Sequence, residues 1–465
     1  MSSIRLRSSS AQLQQIFDWA RTEALGHRVD GGAAGPRDVS ERTPDGLGEV
    51  RYSDAYWAGY SHRSGYYSRD FAHQAVGAHL LGMAERNDAM LGSFLRSATP
   101  EHDGWPLWAL NFDRRTPLQI DYLGPDRFVR ELPAVFELAE TAHVLQRWTG
   151  HPLSGDALAA VIDFVGVFVD RHDLSPRNGV AGADGPGIFD GTASYNELPG
   201  VILREAGDGF GAQYAATRHV AALVAADGGD ASALQARADA LMTLYRQTWS
   251  RGEGDAVVCG WTPNGHPIQE WSRESTWFPL LKGLLVDERA AAELDRVDRL
   301  GRDSETAPKN IEALTYLPDL FFRHGLADTA WSWMQRIFAL RDEPHEVVQQ
   351  GRNGSYPEVS FTLLSQIALG IVGVEADAGN ARLTLRPGLP TGVDDVELTG
   401  IPFADGTVDV RIDRAGCRVA NRTAHALRIA LGQGGFRDPH LSGPERAGSA
   451  VTIGAGDADV IAVRL

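Results

Sequence analysis

Four glutamates in this sequence have the setting that paired acid–base carboxyl groups require. Glu197 lies near the end of DGTASYNELPG, and Glu358 follows GRNGSYP directly before an apolar run. Glu270 and Glu274 are four residues apart in QEWSRESTWFP, so a helix would point both to one face. A carboxyl group that enters a buried apolar cleft keeps its proton more readily, as a general acid must. Glu197 equally fits a carboxylate at a helix N-terminus, and Arg273 could pair with one of the other two.

A carboxylate and an imidazole are spaced one helical turn apart in YYSRDFAHQ. Asp70 and His73 lie where a loop turns into a helix, directly after Arg69. One turn of spacing allows both side chains to face the same cavity. An aspartate at a helix start is more often a cap, so position alone does not establish a site.

Aromatic, acidic and arginine side chains concentrate in the long loops, which is the mixture that a sugar site needs. Sugar rings have apolar faces that stack on Trp and Tyr, and their hydroxyls bind carboxylates and guanidinium groups. Hydrophobic plugs between helices would account for the same aromatic residues. The predicted substrate-binding residues are Arg69, Asp70, His73, Trp105, Tyr195, Asn196, Trp261, Glu270, Trp271, Glu274, Trp277 and Tyr356.

From about residue 10 to residue 372, apolar residues recur with the periodicity of an α-helix. Helices must therefore position these residues. The stripes predict about 12 helices, over 11–24, 69–84, 87–97, 126–148, 158–169, 211–225, 234–245, 275–285, 288–300, 309–324, 327–340 and 360–372. Short and long connections alternate between them. Consecutive helical hairpins around an axis give that alternation, with the long loops gathered at one end. The sequence therefore predicts a mainly α fold, an (α/α)6 toroid of six helical hairpins.

The sequence pattern changes after Gly373, where apolar and polar residues alternate in short runs separated by turns. Such alternation indicates half-buried antiparallel strands. We expect a barrel domain over 1–374 and a small C-terminal antiparallel β-sandwich over 375–465, packed against the barrel.

Composition excludes several partners and locations. The net charge is −17, and all but Lys282 and Lys309 of the 44 cationic residues are arginines. A surface this acidic repels phosphate backbones and anionic lipid, so we expect neither nucleic acid nor membrane as a partner. Cys259 and Cys417 are expected to be reduced. The absence of a signal-like or spanning apolar run favours a water-soluble, cytoplasmic protein. The oligomeric state is left open.

Other chemistries lack their sequence signals. The chain has no HExxH, no Cys/His metal spacing, no P-loop, no GxGxxG after a strand and no GxSxG. We therefore predict no cofactor and no metal.

The layout resembles the six-hairpin glycosidases, the (α/α)6-barrel group that includes trehalase, processing α-glucosidase I and the α-L-rhamnosidases. The resemblance covers most of residues 50–465. The segments that carry it are YYSRDFAHQAVGAHLLG, FDGTASYNELPG, ESTWFPLLKGLL, KNIEALTYLPDLF and GSYPEVSFTLLSQIALGIVGV running into ARLTLRPGLP.

This resemblance implies roles for four residues. Glu197 matches the general-acid position and Glu358 the general-base position, while Arg69 and Asp70 match sugar-holding positions. The implied reaction is a single displacement at an anomeric carbon, in which the acid protonates the leaving oxygen and the base deprotonates water on the opposite face. The sequence thus predicts an exo-acting, inverting glycoside hydrolase acting on an oligosaccharide or glycoside, with Glu270 or Glu274 as the other possible acid.

Two other functions remain open. A polysaccharide lyase or uronide-processing enzyme on the same toroid would use a Tyr or His base, and Tyr66, Tyr67, Arg69 and His73 offer the parts. A carbohydrate-binding or scaffold protein without catalysis would leave Glu197 and Glu358 far apart or capped by arginines.

Overall fold

Helices account for most of the first 370 residues. The computed structural model describes residues 4–195, 201–252, 256–441, 443, 445–446 and 449–461. Its α-helices are α1 Ala11–Gly26, α2 Ser68–Leu80, α3 Ala84–Ser97, α4 Leu132–Thr149, α5 Gly155–Val165, α6 Val167–His172, α7 Gly207–Ala226, α8 Ser232–Leu244, α9 Arg273–Leu281, α10 Ala290–Arg302, α11 Ile311–Leu314, α12 Tyr316–Arg323, α13 Ala327–Leu340 and α14 Pro357–Gln366.

The helices form two concentric rings. In the inner ring α2 packs on α4, α4 on α7, α7 on α9, α9 on α12, and α14 closes the circle against α2. The helices that alternate with them in the chain pack outside, α1 on α14, α8 on α7 and α13 on α12. The predicted mainly α toroid of six hairpins is confirmed.

Burial separates the rings as physical chemistry requires. The inner α4 is buried on nearly all its residues, whereas the outer α10 buries only one face. A helix enclosed by other helices can be apolar all round, and a helix that faces water keeps one apolar stripe.

The strands are β1 Arg5–Ser8, β2 Arg28–Val29, β3 Ala34–Pro36, β4 Glu49–Arg51, β5 Ala55–Tyr56, β6 Gly65–Tyr67, β7 Ala109–Asn111, β8 Tyr122–Gly124, β9 Arg127–Phe128, β10 Glu205–Ala206, β11 Gly260–Trp261, β12 Pro267–Ile268, β13 Val374–Asp377, β14 Arg382–Leu385, β15 Asp395–Phe403, β16 Gly406–Asp413, β17 Gly416–Asn421, β18 Leu427–Leu431, β19 Val451–Ile453 and β20 Ala458–Ile461. Apart from β1, those before residue 270 are short ribbons within the loops of the barrel.

The C-terminal region contains two sheets, in the orders β1-β15-β16-β17-β20 and β13-β14-β18-β19. Their pairs are antiparallel except β14 with β18, which is parallel, so the predicted purely antiparallel arrangement is wrong at this pair. Residues 5–8, expected in the barrel domain, instead form the edge strand of the first sheet, with Arg5 opposite Thr399. The domain boundary at residue 374 stays a prediction.

All inner helices run in one direction because each follows an outer helix that returns the chain. Their N-terminal turns therefore meet at one end of the barrel. Five of these turns carry an acidic residue, namely Asp70, Asp208, Glu274, Glu312 and Glu358. Within the described chain, no helix is both long and apolar enough to cross a membrane. Cys259 and Cys417 are buried free thiols, as predicted.

Candidate active site

Glu358 lies on the first turn of α14 and is fully buried. Pro357 begins that helix, where its missing N–H costs no hydrogen bond. The Oε1 atom of Glu358 is 2.6 Å from His73 Nδ1 and accepts a hydrogen bond from the Thr315 hydroxyl at 2.8 Å. Its Oε2 atom has no hydrogen-bond partner among the described residues. One oxygen is thus fixed by hydrogen bonds, and the other is buried without a partner among the described residues.

His73 is held between two carboxylates. Its Nε2 atom is 3.2 Å from Asp319 Oδ2, and its ring stacks on Tyr316 with centroids 3.9 Å apart. Burial favours the neutral imidazole, but the hydrogen bonds to Asp319 and Glu358 outweigh it and raise the pKa of His73 to about 9. The imidazole is therefore cationic at neutral pH and donates to both carboxylates.

Glu274, on the first turn of α9, supplies a second buried carboxyl group. Its Oε1 atom is 3.3 Å from Arg69 Nη2, and its Oε2 atom has no hydrogen-bond partner in the described part of the chain. Burial raises the pKa of Glu274 although Arg69 opposes the rise. The Arg69 guanidinium lies 4.5 Å from the centre of the Tyr195 ring and 5.6 Å from that of Tyr316. Arg69 thus connects Glu274 with the aromatic wall of the site.

Asp70 accepts a short hydrogen bond from the hydroxyl of Tyr356. Burial and the nearby charge of Glu358 raise the pKa of Asp70 well above its ordinary value. Tyr356 stacks on His345, with ring centroids 5.3 Å apart, and the edge of Tyr60 meets Tyr356 at 5.5 Å. This side of the site therefore joins the loop after α13 to the loop before α2.

A buried ion-pair network lies beside the site, away from the N-terminal turns. The Lys282 ammonium is 2.9 Å from Glu137 Oε1 and 2.7 Å from Glu140 Oε2. The Tyr195 hydroxyl donates to Glu137 Oε2 at 2.8 Å, so the network includes the aromatic side chain on which the Arg69 guanidinium packs.

One group of side chains in the described chain has the geometry to hold a cation. Glu140, His219 and Asp438 are all buried, with one ligand atom of each within 4.8 Å of the others. Lys282 already neutralises Glu140, and Arg323 lies 4.0 Å from the same carboxylate. Positive charge is therefore supplied by the protein at this position.

The structure brings seven predicted residues into one cluster, and it places others elsewhere. The cluster contains Arg69, Asp70, His73, Tyr195, Glu274, Tyr356 and Glu358. Asn196 and Glu197 lie outside the described residues.

Four predicted tryptophans and one glutamate have other surroundings. Trp277 is fully buried and packs on Trp271. Trp105 is likewise buried, and its indole donates to His172. The Trp261 indole donates to a backbone carbonyl within the loop, and Glu270 is exposed beside Gln269. Contact of these five residues with substrate stays a prediction.

Several residues of the cluster carried no sequence signal of their own. Thr315, Tyr316 and Asp319 lie in KNIEALTYLPDLF, a segment that carries the family resemblance but was assigned no site residue. Their shared feature is a polar atom on the face of α12 that the inner ring encloses. Polar residues on the enclosed face of an inner helix are candidates for a site. They could have been identified if the sequence had shown that this helix belongs to the inner ring.

No protein-family model matches the chain, and no curated protein matches it. Solved structures do. The GH78 family rhamnosidase of Bacillus sp. GL1 has a TM-score of 0.59 at 15% identity, over 88% of this chain and 40% of that one. Streptomyces avermitilis α-L-rhamnosidase in complex with L-rhamnose has a TM-score of 0.61 at 12% identity, over 98% of this chain and 42% of that one. A putative kojibiose phosphorylase from the human microbiome has a TM-score of 0.56 at 9% identity, over 99% of this chain and 63% of that one.

The chain spans less than half the length of the two rhamnosidases that it resembles. At these sequence identities the similarity shows only that the backbones have the same fold. Together with the two helical rings, it shows that this chain has the fold of the six-hairpin glycosidases, as the sequence predicted.

Proposed function

We propose that the chain is a glycoside hydrolase that removes a terminal sugar from an oligosaccharide or glycoside with inversion. Glu358 is the general base and Glu197 the general acid of this proposal. The observation that carries it is the buried carboxylate of Glu358, with one oxygen fixed by two donors and the other without a protein partner.

The surroundings of Glu358 suit a base that activates water. Hydrogen bonds from His73 and Thr315 orient the carboxyl plane and stabilise its negative charge. Oε2 can then accept a proton from water on one face of a sugar ring. Burial excludes competing solvent, so a single ordered water is the expected nucleophile.

Two glutamates compete for the role of acid. Glu197 occupies the position that the resemblance assigns to it, and Tyr195, two residues earlier in the sequence, contacts Arg69 in the cluster. Glu274 meets the physical requirement, because burial raises its pKa and Oε2 is available. An inverting pair needs about 6.5–9.5 Å between its carboxyl groups to admit water.

Sugar recognition falls to the remaining polar groups of the cluster. Arg69 and Asp70 offer a guanidinium and a carboxyl group to ring hydroxyls. The inner helices close the barrel beneath these residues, which favours a pocket that takes a chain end. Because two of the similar structures are named rhamnosidases, an α-L-rhamnoside is the first substrate to test.

The test is turnover of a panel of aryl glycosides and disaccharides, with the anomer first released followed by NMR. We expect Glu358→Gln to reduce kcat at least about 100-fold on every substrate while the protein stays folded. A near-wild-type rate in that variant would overturn the proposal, as would initial release of the retained anomer.

Leaving-group dependence identifies the acid. A dinitrophenyl leaving group needs no protonation, so a variant that lacks only the acid keeps activity on it and loses activity on alkyl glycosides. We expect this pattern for Glu197→Gln. The same pattern in Glu274→Gln, with Glu197→Gln active on both substrates, would transfer the role to Glu274.

A lyase reaction has weaker support from the same site. His73 carries a proton at neutral pH because its pKa is raised to about 9, so it cannot act as a base. The Tyr66 hydroxyl is bound to Ser93 at 2.8 Å. Release of a product that absorbs in the near ultraviolet, as an unsaturated uronide does, would nevertheless establish the lyase.

A further inference from the structure

A groove of about 820 Å³ on the outside of the barrel is lined by four arginines. Arg51 comes from β4, Arg96 from the last turns of α3, and Arg114 and Arg115 from the turn that follows β7. The half-buried ring of Tyr52 lies among them. None of these side chains belongs to the cluster around Glu358.

The turn that presents two of the arginines has a fixed backbone. The Asp113 Oδ1 atom accepts hydrogen bonds from the amides of Arg115 and Thr116 at 3.0 and 2.9 Å, and Oδ2 accepts from the Thr116 hydroxyl at 2.9 Å. Arg114 adopts a φ of 60°, in the left-handed region. Behind the turn, the buried Asn111 amide donates to Asp38 Oδ1. The guanidinium groups therefore project from a preorganised base.

The one acidic side chain of this groove offsets only part of its positive charge. Asp113 is the only carboxylate among the described residues that line it, and both its oxygens are engaged by the turn. The four guanidinium groups have no ion pair or hydrogen bond with another described residue. A chain of net charge −17 thus keeps a concentrated positive groove.

We propose that this groove binds an acidic oligosaccharide, with its carboxylate or sulfate groups on the arginines. Guanidinium groups bind such oxyanions through paired N–H donors. The volume lies within the range of about 300–1,000 Å³ that small-ligand sites occupy. The exposed part of the Tyr52 ring offers a face to a sugar ring. The choice of a sugar rather than a bare oxyanion rests on the proposed function.

The experiment is calorimetric titration of the whole chain with trigalacturonic acid, maltotriose and inorganic sulfate. We expect saturable binding of trigalacturonic acid, at least about tenfold tighter than sulfate and weakened by raising NaCl from 50 to 300 mM. Maltotriose is expected not to compete. Sulfate binding as tight as that of the trisaccharide would overturn the assignment to sugars, and no saturable binding of either would overturn the site.

A matched pair of variants locates the binding. R96S/R114N/R115S removes three groove charges, with asparagine at the position of positive φ, and is expected to bind at least about tenfold more weakly. R5S/R7S/R418S removes three exposed charges elsewhere and is expected to bind as wild type does. Equal weakening in both variants would contradict the groove. Glu358→Gln is expected to keep this binding, so loss of the proposed catalysis and loss of the groove site are separate results.

Discussion

At the scale of the residue, the site depends on how one imidazole is charged. His73 has a carboxylate on each ring nitrogen and an aromatic ring against one face. A cationic imidazole donates to both carboxylates, whereas a neutral one donates to only one of them. Glu358 then keeps only the Thr315 hydroxyl, or Asp319 only the Gln366 amide, as its side-chain donor. The protonation of His73 therefore determines how firmly the two carboxylates are held.

This arrangement predicts a loss of stability at alkaline pH. The pKa of His73 rises from about 6.5 in the unfolded chain to about 9 in the folded one. Its contribution, on the order of 3 kcal/mol, is thus fully present below pH 6.5 and disappears as the pH rises through 9. The measurement is the free energy of unfolding by urea at pH 6 and at pH 10, for wild type and His73→Gln. We expect wild type to lose more than the variant does, and equal losses would contradict the cationic imidazole.

Part of the residue-level site could be predicted from the sequence. Glu358 stood out because Tyr356 and Pro357 frame it at a helix entrance, and Arg69, Asp70 and His73 because their spacing is one turn. Thr315 and Asp319 could not be predicted, since the partners of a polar side chain on an apolar helix depend on which helices face it. Composition alone does not distinguish an aromatic plug from a stacking platform, so contact of the buried Trp277 with substrate stays a prediction.

At the scale of the element, helix existence was predicted well and helix continuity was not. The stretch predicted as one helix over 309–324 is two helices that meet at Thr315, whose hydroxyl binds the Glu312 carbonyl and Glu358. The stretch 158–169 is likewise interrupted at Gly166. Each break depends on a side chain or turn geometry that apolar periodicity does not record.

One buried cation at the end of α9 forms ion pairs with α4. Lys282 is 4% exposed and forms ion pairs with Glu137 and Glu140. Removal of one partner leaves buried charges uncompensated, so we expect Lys282→Met to lower the free energy of unfolding by about 3–5 kcal/mol. The triple variant K282M/E137Q/E140Q is expected to regain part of that loss, because the two carboxylates that Lys282 neutralised are then uncharged amides. A triple variant less stable than Lys282→Met would contradict the interpretation.

At the scale of the whole molecule, the barrel and the C-terminal sheets share one hydrophobic core. Arg147, at the end of α4, is 2.9 Å from Asp377 and donates to the Ala376 carbonyl at 2.7 Å. The backbone amide of Ala404 donates to the carbonyl of Trp148 at 3.1 Å. In addition, β1 pairs with β15 and so belongs to the five-stranded C-terminal sheet. The two strands are almost 400 residues apart in the sequence, so no local pattern could predict their pairing.

These connections predict that both regions unfold in a single transition. Tryptophan fluorescence reports only the barrel, because all 11 tryptophans lie between Trp19 and Trp333. Cys417 reports the sheets: it is buried in β17, and burial raises the pKa of its thiol to about 12, so it resists labelling while folded. In a Cys259→Ser background, Cys417 is the remaining thiol. We expect the urea midpoints for fluorescence and for thiol labelling to coincide, as two-state unfolding requires. Labelling of Cys417 at urea concentrations that leave the fluorescence unchanged would instead show that the sheets open before the barrel does, and the shared core would then not couple them.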